Sequence, residues 1–96
     1  VTEPRRADRA VPAITLITSP GCHLCDDAHR VLATLADERR IVLGTVDAES
    51  PEGETVVAAH RPSVFPLVLL DGAYFSAGRL PRRKLAAALG LDRSVA

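Results

Sequence analysis

The 96-residue chain reads as one α/β domain of order β-α-β-α-β-β-α, a mixed four-stranded sheet flanked by helices. Three observations predict that class. Short apolar runs rich in β-branched residues alternate with a segment of helical periodicity, as expected for parallel strands joined by a helix. Two later apolar runs are separated only by Asp71-Gly72, the dipeptide best suited to a two-residue hairpin turn. A last amphipathic segment ends at Gly90, where a helix C-cap belongs.

Residues 1–10 are charged, contain a proline and show no periodicity, so residues 1–12 are read as a flexible leader before a domain spanning 13–90 and a tail at 91–96. The run Ala-Ile-Thr-Leu-Ile-Thr at 13–18 has the look of a buried strand, and Pro20-Gly21 ends it. From Cys22 onward, Leu24, Ala28, Val31, Leu32 and Leu35 fall on one helical face, which predicts about four turns ending between Asp37 and Arg40. Residues 41–46 read as a second strand. Ser50 is an N-cap candidate with Pro51 behind it, so 52–60 is expected to form a short helix stopped at Arg61-Pro62. Strands at 67–70 and 73–76 flank the hairpin turn. Leu80-Pro81 opens the last helix, with Leu85 and Leu89 on its apolar face.

Composition narrows the function. Twelve basic side chains balance twelve acidic ones, and 47% of residues are hydrophobic. No global field draws the chain to nucleic acid or to a membrane surface. No apolar run approaches the roughly 18 residues of a membrane span, and residues 1–12 lack the apolar stretch of a secretory signal. These features suggest a cytoplasmic protein, and a monomer is the expected state.

Both cysteines lie in one octet, Ser19-Pro20-Gly21-Cys22-His23-Leu24-Cys25-Asp26. Such a pair can be a redox centre, half of a metal site, a structural clip or two apolar neighbours. A clip is a poor reason for it, because so short a loop gains only about 2 kcal/mol in the chain-entropy model, less than half of what a loop of about 100 residues gains. Placed as the N-cap of the first helix, Cys22 would face unpaired backbone N–H groups and the positive end of the helix dipole. Both favour thiolate over thiol, and cysteines so placed can fall from about 8.5 to between about 3.5 and 7.5 in pKa. Cys25 lies nearer the apolar face and should be the more buried of the two.

An exposed attacker followed by a buried partner suits a two-step exchange in which Cys22 opens a substrate disulfide and Cys25 resolves the mixed disulfide. His23, when protonated, would modulate Cys22 by stabilising its thiolate, whereas Asp26 and Asp27 oppose a second negative charge. His29 stands one turn beyond Cys25, within reach for proton transfer, although a histidine on a solvated helix side is commonly inert.

Taken together, the strand, Ser-Pro-Gly-Cys22-His23-Leu24-Cys25, Val64-Phe65-Pro66 before a strand, Asp71-Gly72, and Gly78 before the last helix resemble a glutaredoxin-like protein of the thioredoxin superfamily. The resemblance runs from about residue 13 to 90. It is strongest to small bacterial glutaredoxin-like domains carrying Pro-Gly-Cys-His-Leu-Cys. It implies a thioredoxin-like fold of glutaredoxin size, catalytic Cys22 and Cys25, and a cis bond before Pro66. It also implies that the backbone of Phe65 pairs with a substrate strand and that Gly78 and Arg79 lie in the substrate-binding region. The substrate would be a disulfide-containing protein or a mixed disulfide. No tightly bound cofactor is implied, and the reductant would be glutathione or another low-molecular-weight thiol.

The sequence departs from the glutaredoxin pattern where glutathione is held. Ser19 replaces a common basic residue, Val64-Phe65-Pro66 replaces Thr-Val-Pro, and Ala77-Gly78-Arg79-Leu80 keeps one glycine of a pair. The first strand has no acid to take the resolving thiol's proton. Arg79, Arg82, Arg83 and Lys84 crowd the start of the last helix, where positive charge opposes the dipole, and they could hold carboxylates of a small thiol or of an acidic partner, or simply form a solvated turn. Two other readings stand beside the oxidoreductase. One is a metal or iron–sulfur module using Cys22, Cys25 and His23 or His29. The other is a thioredoxin-like adaptor with vestigial thiols.

Overall fold

Seven elements follow one another in the computed structural model, which describes residues 11–90. They are β1 (Ala13–Thr18), α1 (His23–Asp37), β2 (Val42–Asp47), α2 (Pro51–His60), β3 (Leu67–Leu70), β4 (Ala73–Ala77) and α3 (Arg82–Leu89). The expected β-α-β-α-β-β-α order is present, in a sheet of order β2-β1-β3-β4. β1 runs parallel to β2 and antiparallel to β3, and β4 runs antiparallel to β3. The exits of β1, β2 and β4 and the entry of β3 therefore share one end of the sheet. The tail expected at 91–96, and all of the leader except residues 11 and 12, lie outside the described residues.

Alternation along β1 divides the core in two. Ile14 and Leu16 point to one face, where they meet Ala28 and Leu32 of α1, Val68 of β3 and Leu85 of α3. Ile17 points to the other, joining Leu67 and Leu69 beneath Val56 and Val57 of α2. Two helices thus cover one face and a single short helix covers the other. β3 is central and covered on both sides, which is why Leu67-Val68-Leu69-Leu70 is apolar without alternation.

The hairpin turn has positive φ at both central residues, 50° at Asp71 and 87° at Gly72, and Leu70 pairs directly with Ala73 across it. That backbone is what an Asp-Gly turn supplies at least cost. Farther along, the β3–β4 register shifts between Val68 and Leu69, a bulge that the alternation of the sequence did not announce.

Boundaries differ from the sequence expectations by one residue. β2 begins at Val42 and reaches Asp47, β4 extends to Ala77, and α2 begins at Pro51. Ile41 is buried in the core while its neighbour Val42 takes the first strand position, its N–H donating to the Pro12 carbonyl at 3.0 Å. Pro81 is the N-cap of α3 rather than its first residue.

Candidate functional site

The chain leaves β1 through Pro20-Gly21 and enters α1 with Cys22 as N-cap in an extended conformation (φ −100°, ψ 108°). The Cys25 N–H donates to Cys22 Sγ at 3.0 Å, and the Asp26 N–H donates to the Cys22 carbonyl at 3.2 Å. A sulfur occupies the place that a hydroxyl or carboxylate oxygen takes at most helix starts. Cys22 and Cys25 are joined as a disulfide, with their Cα atoms 5.1 Å apart. Cys25 is only 3% exposed, whereas Cys22 is partly open to solvent. The exposure order is the one that the helical projection implies.

Pro66 lies at the same end of the sheet. Its carbonyl accepts the Gly78 N–H at 2.9 Å, which carries the β3–β4 ladder one step past the strands. Extending the β1–β3 register by one residue sets Pro66 opposite Thr18, the strand end from which the cysteine loop departs. The Phe65–Pro66 bond is cis and Pro66 is fully buried. Phe65 packs on the Ile17 side of the core. Val64 is half exposed and covers Gly78 so closely that a Cβ there would come within 2.9 Å of Val64 Cγ2. In the sequence Val64 figures only as part of the Val64-Phe65-Pro66 segment, and the packing makes it an apolar cover over Gly78.

The basic turn is not uniformly solvated. One guanidinium nitrogen of Arg82 bonds both carboxylate oxygens of Asp27 at 3.0 Å, tying the start of α3 to the second turn of α1. Arg30 approaches the same carboxylate at 3.7 Å. Lys84 donates to the Phe75 carbonyl at 2.6 Å and stands 4.6 Å from the centre of the Phe75 ring. Arg79 and Arg83 are exposed and have no side-chain partner among the described residues. Asp27 is legible in the sequence only as an acid near Cys22, and its pairing with Arg82 is not, because that contact spans 55 residues.

His23 and His29 are both exposed. Among the described residues, no group of three or more His, Cys, Asp or Glu side chains converges to hold a metal ion, so neither histidine completes a ligand set with the two cysteines.

Residues 13–90 match the family model described as "Glutaredoxin-like domain (DUF836)". The chain belongs to this family. Solved structures similar to this glutaredoxin-like domain include three thioredoxins. Chloroplastic thioredoxin z is 19% identical with a TM-score of 0.67, over 96% of this chain and 87% of the other. Thioredoxin O2 from Arabidopsis thaliana in its oxidized state is 15% identical with a TM-score of 0.62, over 86% and 76%. Thioredoxin f2 from Chlamydomonas reinhardtii is 16% identical with a TM-score of 0.63, over 86% and 80%. At such identities the likeness establishes the thioredoxin-like fold. Within that fold, the CxxC disulfide of this glutaredoxin-like domain points to redox function. No helix among its described residues is long and apolar enough to cross a membrane.

Proposed function

We propose that this glutaredoxin-like domain is a thiol–disulfide oxidoreductase that reduces protein or mixed disulfides, with Cys22 as the attacking thiol and Cys25 as the resolving one. The observation that carries this reading is the placement of a partly exposed sulfur as the N-cap of α1, bonded to a buried partner three residues on. Once the disulfide is reduced, the Cys25 N–H and the helix dipole favour the Cys22 thiolate, the species that attacks.

The exchange balances in two steps. The Cys22 thiolate bonds to one sulfur of the substrate disulfide, whose S–S bond breaks, and the departing thiolate takes a proton from water. Cys25 then gives up its proton and attacks Cys22 sulfur, releasing the second substrate thiolate and closing the Cys22–Cys25 bond. Two electrons have passed to the substrate. Two equivalents of a low-molecular-weight thiol, glutathione being one candidate, return the pair to the dithiol.

Around the pair, the backbone of Phe65 offers the docking edge for an extended substrate segment, with Pro66 packed behind it. Gly78, bare of a Cβ, lets Val64 close over it beside that edge, and the exposed Arg79 borders it. His23 modulates Cys22 from the solvent side, since as a cation it would stabilise the adjacent thiolate.

Trapping tests this division of labour. Cys25→Ser mixed with a disulfide peptide should accumulate a mixed disulfide at Cys22, visible by mass spectrometry as the added mass of one peptide half. Cys22→Ser should accumulate none. Equal trapping by both variants would contradict the assignment.

A further inference from the structure

The basic residues at 79–84 lie at the same end of the sheet as the thiols, and the chain is neutral overall. Their charge is therefore a local imbalance. Arg79, Arg82, Arg83 and Lys84 line one open depression against a single carboxylate, Asp27. Arg82 is spent on that carboxylate and Lys84 on the Phe75 carbonyl. Arg79 and Arg83 remain as two guanidiniums without protein partners among the described residues.

Local stability does not account for them. Pro81 provides no side-chain cap, and the first turn of α3 contains no acid to complement the dipole. Cations there weaken the helix start rather than strengthen it. The Arg82–Asp27 bond fixes this turn against α1 at a residue only five positions beyond Cys22, about 7.5 Å along the helix axis at 1.5 Å per residue. On the opposite flank, Asp47, Glu49, Glu52 and Glu54 cluster where β2 passes into α2. An acidic segment is repelled from that side and drawn to the other.

We infer that Arg79 and Arg83 dock an acidic stretch of a disulfide-bonded protein substrate beside Cys22. The inference rests on the thiol–disulfide reading above and names the substrate class of that site. A polypeptide fits better than a small thiol because the depression is open and its two free cations sit on separate elements, the β4–α3 loop and the first turn of α3. Charges at such a rim act mainly on the association rate and are screened by salt.

The test uses three peptide disulfides of equal length, with acidic, uncharged and basic residues flanking the cysteine. The protein should reduce the acidic peptide about tenfold faster in kcat/KM than the uncharged one at low ionic strength, with the basic peptide slowest. That ratio should shrink toward one at about 1 M salt, where the Debye length is about 3 Å. The double variant Arg79→Gln/Arg83→Gln should lose the ratio, and glutathione mixed disulfide should show no comparable dependence on these two residues. In parallel, an acidic peptide without cysteine is titrated into the oxidised protein, and amide shifts confined to residues 78–84 are expected. Reduction of all three peptides at equal rates overturns the inference while leaving the oxidoreductase reading intact. Dependence on Arg79 and Arg83 only with glutathione mixed disulfide overturns it in favour of a small-thiol carboxylate site. Failure to reduce any of the peptides defeats the oxidoreductase reading, and the titration then decides the docking on its own: absent shifts at 78–84 overturn it.

Discussion

Cys22 at the start of α1 and Ser50 at the start of α2 occupy one local geometry: an extended N-cap residue whose side chain accepts the N–H three residues on, at 3.0 Å in both cases. The atoms differ, and so does the consequence. At Ser50 the acceptor is a hydroxyl oxygen, which satisfies an orphan donor and itself donates to the Asp47 carbonyl at 2.7 Å, so its part is structural. At Cys22 it is sulfur, a weak acceptor as a thiol and a strong one as a thiolate, so the same helix start that needs a cap also favours the reactive form. The comparison separates capping, which many side chains provide, from chemistry, which here only sulfur provides. The start of α3 is a third case, with no side-chain cap and a basic first turn. Its residues answer to something other than helix formation.

The largest expected effect comes from making the two starts alike. Cys22→Ser gives α1 the cap that α2 already has, so disulfide reduction should fall to the uncatalysed background. The unfolding free energy, compared with reduced wild type, should move by no more than about 1 kcal/mol. Loss of folding, checked by denaturant titration, would mean that the sulfur is needed for structure and would break the comparison.

The next effect lies in how α2 is seated. A Cβ at Gly53 would run into the Asp47 carbonyl and come within 2.8 Å of Ala48 Cα, whereas one at Gly44 meets nothing within 4 Å. Gly53→Ala should therefore cost about 1–3 kcal/mol by overpacking, and Gly44→Ala should stay within about 0.5 kcal/mol of wild type. Similar stability for both variants would show that α2 can shift away from β2 at little cost.

Most of the fold was legible because its signals are local. The apolar spacing from Leu24 to Leu35 marks α1, Ser50-Pro51 marks the start of α2, and Asp71-Gly72 marks the hairpin. The burial order of the two cysteines followed from helical projection alone. What stayed hidden depends on tertiary register. Asp27 reads as one of two acids in an early helical turn until Arg82 arrives from 55 residues away. Lys84 reads as part of a solvated turn until it meets the Phe75 carbonyl. The Phe65–Pro66 conformation came from family likeness, since an X–Pro dipeptide by itself favours trans.

Smaller effects sharpen the contrast between structural and reactive caps. Ser50→Ala should cost about 1 kcal/mol in unfolding free energy, with reduction of an uncharged disulfide unchanged. A loss of turnover larger than the loss of folded protein would tie α2 to the chemistry after all. Smallest is Arg82→Gln. The Asp27 side chain is 34% exposed and that of Arg82 61%, so solvent screening limits the pair to roughly 0–1 kcal/mol, most of it gone in high salt. A salt-independent loss above that range would mean that the pair braces α1 against α3 more tightly than an exposed ion pair can.

The central claim is that Cys22, not Cys25, is the activated thiol, and alkylation of the reduced protein tests it directly. Iodoacetamide modification of each cysteine is followed by peptide mass spectrometry as a function of pH. The account predicts that Cys22 reacts with a midpoint well below the ordinary cysteine value of about 8.5, while Cys25, nearly inaccessible, reacts far more slowly at every pH. Equal rates at both positions with an ordinary midpoint would contradict it.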